Sequence, residues 1–384
     1  MGEAMAQGLM SKKLLSSKSI TVAEPRQERR KELEQKHRIN VTANNREAAQ
    51  TCKILVLSVK PQDLDGVLAG LKGVLQPDQM VMSIVAGARV STISRGLAHS
   101  AIVRVMPNTP AQIGEGMSVW TATPSVRKNQ LNQARIILQA LGKELYVKDE
   151  KFLDMATAVS GTGPTYVFLV MEAMVDAAVH LGFPRHVAYQ LVTETMRGSI
   201  IYAIKSGKHP AELRNMVTSP GGTSAAALYQ LEKGSLRTVL SKAIWAAYER
   251  SKSLGEELYV NDEKFLDMAT AVSGTGPTYV FLVMEAMVDA AVHLGFPRHV
   301  AYRLVTETMR GSIIYAIKSG KHPAELRNMV TSPGGTSAAA LYQLEKGSLR
   351  TVLSKAIWAA YERSKSLGEG KSPSSDINDI NKAI

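Results

Sequence analysis

The stretch Thr165–Phe183, TYVFLVMEAMVDAAVHLGF, returns unchanged at Thr278–Phe296. Its apolar residues occupy most faces of a 3.6-residue helix. That predicts a helix buried on several sides rather than one lying on a surface. Such a helix in a small domain calls for a second copy of itself as cover, so an obligate dimer interface is expected. The flanks read as helix too. Gly161-Thr-Gly163-Pro164 breaks the preceding pattern DEKFLDMATAV, and Pro164 suits a first helical turn. Gly182 stops the apolar helix, and Pro184 starts PRHVAYQLVTETMRGSIIYAIKSG. His209-Pro210 opens a short helix, Gly221-Gly222 precede TSAAALYQLEKG, and SLRTVLSKAIWAAYERSKSLG closes the unit.

The whole unit is duplicated. Shifted by 113 positions, Glu144–Glu256 lies on Glu257–Glu369 with two differences, Lys148 against Asn261 and Gln190 against Arg303. Solenoid repeats are shorter and diverged, with distinct caps. A recent tandem duplication, or an error in assembling the sequence, explains this pattern better than selection for two functions.

Residues 1–147 have another texture. Short apolar runs alternate with amphipathic segments: SITVA (19–23), INVT (39–42), KILVLSV (53–59), MVMSIVA (80–86), AIVRVM (101–106), MSVW (117–120) and ELYV (144–147). Runs apolar on both faces and joined by helices indicate a doubly wound parallel sheet. The expected architecture is therefore α/β followed by all-α. Its parts are 1–147, a helical copy at 148–256, a second at 257–369, and a disordered tail at 370–384.

With 45% apolar and 21% charged residues, the chain can bury a core. One cysteine, Cys52, excludes a disulfide framework and suits a reducing, cytoplasmic compartment. The best span candidate, Thr165–Leu181, carries Glu172, Asp176 and His180, so no membrane segment is expected. No signal peptide is read at the start. Of the net charge of +12, +10 lies in residues 1–143, which hold 20 Lys/Arg against 10 Asp/Glu. There acids alternate with bases without interleaved aromatics, so no nucleic-acid partner is expected. The histidines have no metal-ligand spacing, and no metal is expected.

Chemistry concentrates in a few turns. In Ser219-Pro220-Gly221-Gly222-Thr223-Ser224, repeated as Ser332 to Ser337, the glycines let a ligand approach the backbone. Thr223 and Ser224, like Thr336 and Ser337, stand where an N-cap and first turn would be. Bare amides and the helix dipole there suit a carboxylate. A plain capped helix after a glycine turn is the competing reading. Arg104-Val-Met106-Pro107-Asn108-Thr109-Pro110 and Ser58-Val59-Lys60-Pro61 end strands at the carboxyl edge, where doubly wound folds bind ligands. Gly161-x-Gly163 follows a helix rather than a strand, and reads as an inter-helix turn rather than a phosphate loop.

In order, MGEAM, SVKPQ, SIVAG, RVMPNTP, SGTGPTY, GKHP and VTSPGGTS resemble pyrroline-5-carboxylate reductase over residues 1 to about 254, and the resemblance restarts in the second copy. It implies a Rossmann domain for NADP (or NAD) and a helical domain that interlocks as a dimer. It also implies hydride transfer to the C=N carbon of 1-pyrroline-5-carboxylate, giving L-proline. By that resemblance Ser219, Gly221, Gly222 and Thr223, with Ser332, Gly334, Gly335 and Thr336, hold the substrate carboxylate. The hydroxyls of Ser224 and Ser337 face the ring nitrogen. Gly2, Ser58, Val59, Lys60, Pro61, Ala86, Gly87 and Asn108 border the cofactor. Glu24 would bond a 2′-hydroxyl and Arg26 a 2′-phosphate, with the family habit favouring NADP.

Three departures stand out. The family begins with a strand and Gly-x-Gly-x-Met-Gly, and this chain starts at that Met. The absent central strand is expected to unfold the nucleotide domain or let its strands re-pair. Asn215 stands where the family has Asp, which puts in question a salt link holding the loop. The duplicate copy is expected to fold back on the first as an intrachain pseudo-dimer, or to compete for its partner in a homo-oligomer. The alternative function is an inactive fragment or oligomerisation protein with a broken cofactor site.

Overall fold

A computed structural model describes residues 1–251 and 274–368. The joint at Leu254-Gly255, the second ELYV and the tail 370–384 lie outside them. The chain divides into two compact units, Met1–Thr157 and Ala158–Ile384.

All seven apolar runs of the first unit form strands: β1 (Thr21–Ala23), β2 (Asn40–Thr42), β3 (Ile54–Leu57), β4 (Met80–Ser83), β5 (Ile102–Met106), β6 (Gly116–Ala122) and β7 (Gly142–Tyr146). They make two sheets. β1 and β2 pair in parallel by themselves, and β3-β4-β5-β6-β7 form the main sheet. β1 does not re-pair with β3, and the two sheets remain separate.

The doubly wound sheet is parallel except at one pair, where β6 runs antiparallel to β5 with Val105 opposite Trp120, a detail the sequence reading did not contain. The cause is the connection. Residues 107–115 hold only a 3-10 turn at Thr109–Ile113, and a parallel return needs a dozen or more residues.

Helices cover both faces of the main sheet. On one side α1 (Gly2–Ser11) and α6 (Lys128–Gln139) bring Met5, Ala134 and Leu138 onto Met80, Met82, Val103, Val105 and Trp120. On the other, α3 (Asn45–Thr51), α4 (Leu64–Leu71) and α5 (Val90–Leu97) bring Ala49, Leu64, Leu68, Leu71, Ile93 and Leu97 onto Leu57, Val81 and Ile102. α2 (Gln27–His37) buries only Leu33, as its alternating charges predict. α7 (Lys151–Ala156) closes the unit.

The second unit is all helix. Copy one gives α8 (Gly163–His180), α9 (Arg185–Ser206), α10 (Pro210–Met216), α11 (Thr223–Lys233) and α12 (Leu236–Ser251). Copy two gives α13 (Gly276–Leu294), α14 (Arg298–Ser319), α15 (Pro323–Met329), α16 (Thr336–Lys346) and α17 (Leu349–Gly368). Every residue of α8 from Gly163 to Val179 is buried, as its all-round apolar pattern requires.

The copies are interlocked rather than side by side. α8 is covered by α14, α15 and α17 of the other copy, and α13 by α9, α10 and α12. α11 packs on α17 and α12 on α16. Glycines allow the closest approaches: a Cβ on Gly234 would lie 2.4 Å from a methyl of Val352, and one on Gly347 2.5 Å from a methyl of Val239.

By length and composition α13 is apolar enough to cross a membrane, with mean hydropathy 1.3 over an 18-residue window. Since 78% of that window is buried, it reads as the core helix of this bundle.

Candidate active site

In the first unit, candidate residues gather at the carboxyl ends of parallel strands. Ser58–Lys60 follow β3, Ser83 ends β4 with Ile84–Gly87 beyond it, and Asn108 follows β5. A Cβ on Gly2 would stand 2.6 Å from Ser58 Oγ, so the start of α1 reaches the end of β3 only because residue 2 is glycine. Pro61 opens a 3-10 turn, where the Asp63 amide donates to the Lys60 carbonyl at 3.0 Å. Beyond β4 the Val85 amide donates to Ser83 Oγ, and Gly87 takes a φ of +75° with open space where a side chain would sit. These bare backbones fit a dinucleotide lying along the strand ends.

Asn108 is largely turned to structural use. It is 3% exposed and its Oδ1 accepts from the Met117 amide at 2.8 Å. Glu24 and Arg26 engage each other, at 2.9 Å between Oε1 and Nε, and that bond holds the Glu24 carboxyl below its ordinary range. Arg30 clamps the same turn from behind, donating to the carbonyls of Glu24 and Pro25 at 2.7 Å each.

Two ion clusters were not singled out from sequence. Glu3 on α1 accepts from Arg29, Lys36 and His37 on α2, which lowers its carboxyl to about 2, the His37 bond contributing most. Arg104, buried in β5, reaches Glu150 at 2.8 Å and Asp154 at 3.1 Å. Arg104 lies in a motif quoted above, but its acids stand over forty residues away, so no local spacing marks them.

The twin turns in the helical unit have the same construction. Gly221 and Gly334 have φ of +69°, a region open to glycine. The Gly222 amide donates to the Ser219 carbonyl at 3.1 Å, and Gly335 to Ser332 at 2.8 Å. Gly222 and Gly335 are the N-caps, so Thr223 and Thr336 are first helical residues rather than caps, a shift of one from the expectation. The first helical bond runs from Ala225 to the Gly222 carbonyl, at 3.1 Å, and its twin from Ala338 to Gly335. The amides of residues 223, 224, 336 and 337 therefore precede the helical ladder, where a helix end has donors to offer. Ser224 and Ser337 are each 6% exposed.

Each turn also meets the other copy. Thr162 Oγ1 donates to Thr336 Oγ1 at 2.8 Å, and Thr275 Oγ1 donates to Thr223 Oγ1 at 3.0 Å. The Gly-Thr-Gly-Pro segments are thus threonine walls facing the partner copy's turn, a role beyond the inter-helix turn read from sequence. Asn215 accepts from the neighbouring Arg214 at 3.2 Å, while the Arg214 charge goes to Glu285 of copy two at 2.5 Å. That ion pair ties α10, just ahead of the turn, to α13 of copy two. Among the described residues no cluster of three metal-ligating side chains occurs.

Residues 150–254 and again 263–367 match the family described as pyrroline-5-carboxylate reductase dimerisation. The chain belongs to the pyrroline-5-carboxylate reductase family. These enzymes are NADP-dependent oxidoreductases that reduce pyrroline-5-carboxylate to proline. Residues 1–87 match a second family, described as NADP oxidoreductase, coenzyme F420-dependent. Among the reductases, that of Synechocystis is 40% identical over 257 residues, covering 67% of this chain and 96% of that protein. The structure from Coxiella burnetii is 33% identical with a TM-score of 0.60, covering 65% of this chain and 93% of that one. That from Plasmodium falciparum, with NADP bound, is 32% identical with a TM-score of 0.61, over 66% and 94%. Each alignment has room for one nucleotide unit and one helical copy, so the second copy is what this chain adds to its relatives.

Proposed function

We propose that this chain carries out the family reaction with its duplicated turns as the substrate-holding element. The observation that carries the reading is the pairing of bare helix-opening amides with a nearly buried serine hydroxyl and a facing threonine, built twice. The amides at 223–224 or 336–337 would take the carboxylate of 1-pyrroline-5-carboxylate, helped by the helix dipole. Ser224 or Ser337 would place a neutral donor at the ring nitrogen, which gains basicity as the C=N bond is reduced. Gly221, Gly222, Gly334 and Gly335 keep side chains out of the carboxylate's way, and Ser219 and Ser332 hold the turns closed.

Gly2, Ser58, Val59, Lys60, Pro61, Ala86, Gly87 and Asn108 would border a nicotinamide dinucleotide, which supplies the hydride when bound. Arg26 is paired with Glu24 but keeps 73% of its side chain exposed, so a 2′-phosphate could meet its guanidinium. That favours NADP over NAD. The functional division follows 1–147 for the nucleotide and 148–256 with 257–369 for substrate and pairing. In solution the two copies serve as each other's dimer partner, in a reducing cytoplasm suited to the single Cys52.

The test is NADPH-dependent formation of proline from 1-pyrroline-5-carboxylate by the full chain, followed by loss of NADPH absorbance. Turnover supports the reading; its absence under conditions where a relative is active overturns it. A second reading, an oligomerisation protein with a broken cofactor site, draws on the divided sheet beside Gly2. It is favoured if NADPH fluorescence does not change on adding the chain.

A further inference from the structure

The short helices α10 and α15 share one sequence and one kind of cap. His209 and His322 stand at their N-caps, and the Nδ1 of each accepts the amide two residues on, Ala211 or Ala324, at 3.2 Å. The other ring nitrogen faces the opposite copy. His322 Nε2 lies 3.1 Å from Arg185 Nη1, and His209 Nε2 lies 3.0 Å from Arg298 Nη1. Both neighbours of each ring are therefore donors, since an amide and a guanidinium bring only N–H groups. A neutral imidazole has one lone pair to give, and a protonated one has none. The neutral ring can cap its helix. The protonated ring cannot, and it sets a second positive charge against the arginine.

The two rings differ in enclosure. His322 is half-buried; beside it Arg185 keeps 32% of its side chain exposed, and Asp176, which accepts from Arg185 at 3.1 Å, keeps 10%. His209 is exposed, and the corresponding values are 51% for Arg298 and 47% for Asp289. The charged groups around His322 are Asp176 from α8, Arg185 from α9 and Arg327 from α15 itself. Lys321 and Glu325, which flank the cap in sequence, pair with each other. Burial first and Arg185 next hold the imidazole below its ordinary value, with Arg327 adding to them and Asp176 opposing.

We propose that His322 is an acid-sensitive latch between the copies: its neutral ring caps α15, and protonation releases the cap and repels Arg185, loosening α15 where it covers α8. His209 is the same device open to water, where solvent screens the charges and takes over the amide. Because the folded chain resists the proton more than the unfolded one, the latch contributes fully above the ordinary imidazole value of 6.5 and loses strength as pH falls through it. Its release reaches the centre of the interlock, since α15 carries Arg327, the partner of Glu172 in α8.

The duplicated helices serve as each other's control. Full-length His209→Asn leaves His322 as the titrating cap, and His322→Asn leaves His209; asparagine caps a helix without titrating near neutral pH. Each substitution also changes the mass of one of two otherwise identical peptides, so hydrogen exchange read by mass spectrometry can tell 209–216 from 322–329. Exchange would be measured at pH 7.5 and 5.5 and corrected for the intrinsic effect of pH. In the His209→Asn chain, 322–329 should lose about tenfold in protection on acidification, the scale of a lost cap. The peptide 209–216 should stay within about two-fold in both chains, and so should 322–329 in His322→Asn. Adding Arg185→Gln to His209→Asn keeps a donor but removes the charge, and should shrink the drop. A His322 peptide that keeps its protection at pH 5.5 overturns the latch, as does a drop of equal size with asparagine at 322. A drop as large at His209 overturns the part given to enclosure, and a drop unchanged by Arg185→Gln overturns the part given to the guanidinium. The deciding arm keeps His322 intact and alters only the exposed His209, so it can be read even if His322→Asn does not fold.

Discussion

Glu172 sits in the middle of an apolar helix with no exposed surface, 2.6 Å from Arg327 Nη1 and 2.8 Å from Arg350 Nη1. Burial raises its carboxyl despite both guanidinium groups, so the site is costly unless complete. Removing the acid in Glu172→Ala would take the carboxylate from the buried Arg327 guanidinium, at about 3–5 kcal/mol in urea unfolding. Glu285→Ala, whose partner Arg237 keeps 32% of its side chain exposed, should cost less. Glu3 makes a pH-dependent prediction. Its folded-state value is depressed to about 2 from 4.5. Its contribution is therefore complete above about pH 4.5 and is lost as pH falls through 2. Glu3→Gln should be less stable than the parent at pH 7, by roughly 1 kcal/mol or less for so accessible a cluster. The difference should close on approaching pH 2; an unchanged gap across that range would contradict it. Gly163→Ala should destabilise by about 1–3 kcal/mol through its clash with the Thr308 methyl, and Thr308→Ser should restore most of the loss.

At the scale of elements, α11 and α12 find their cover in α17 and α16, which come from the other copy. A substitution in one copy should therefore loosen helices in the other. Gly347→Ala would push against Val239, and hydrogen exchange should rise in α12 rather than in α17 alone. Most elements were legible because their signals are local. Apolar runs gave the seven strands, Pro164 and Pro210 helix starts, and Gly182 a stop. The direction of β6 was missed, because its only signal is the shortness of the 107–115 link, and the interlock has no local signal at all. Identical helices can pair within a copy or across copies with the same sequence pattern. The candidate turns were recognisable from their glycines and hydroxyls. Their facing threonines were not, because Thr162 and Thr336 meet only through the crossed packing.

For the whole molecule, the pairing surface of the helical domain is satisfied within one chain. Sedimentation should give no dimer formed through that surface, and a species of 41.6 kDa if no other contact assembles the chain. Oxidised Thr223→Cys/Thr275→Cys, joining positions whose hydroxyls are 3.0 Å apart, should migrate as a single chain on non-reducing gels. A ladder of linked chains would show that copies pair between molecules instead. The crossed covering of α8 also bears on how the protein is made. On a ribosome, α8 emerges long before α15 and α17, which must lie over it. At about 5–20 residues per second, the wait from residue 180 to residue 368 is on the order of 10–40 s. During that interval a greasy rod stands without its lid, so chaperone binding to nascent chains of this length is expected.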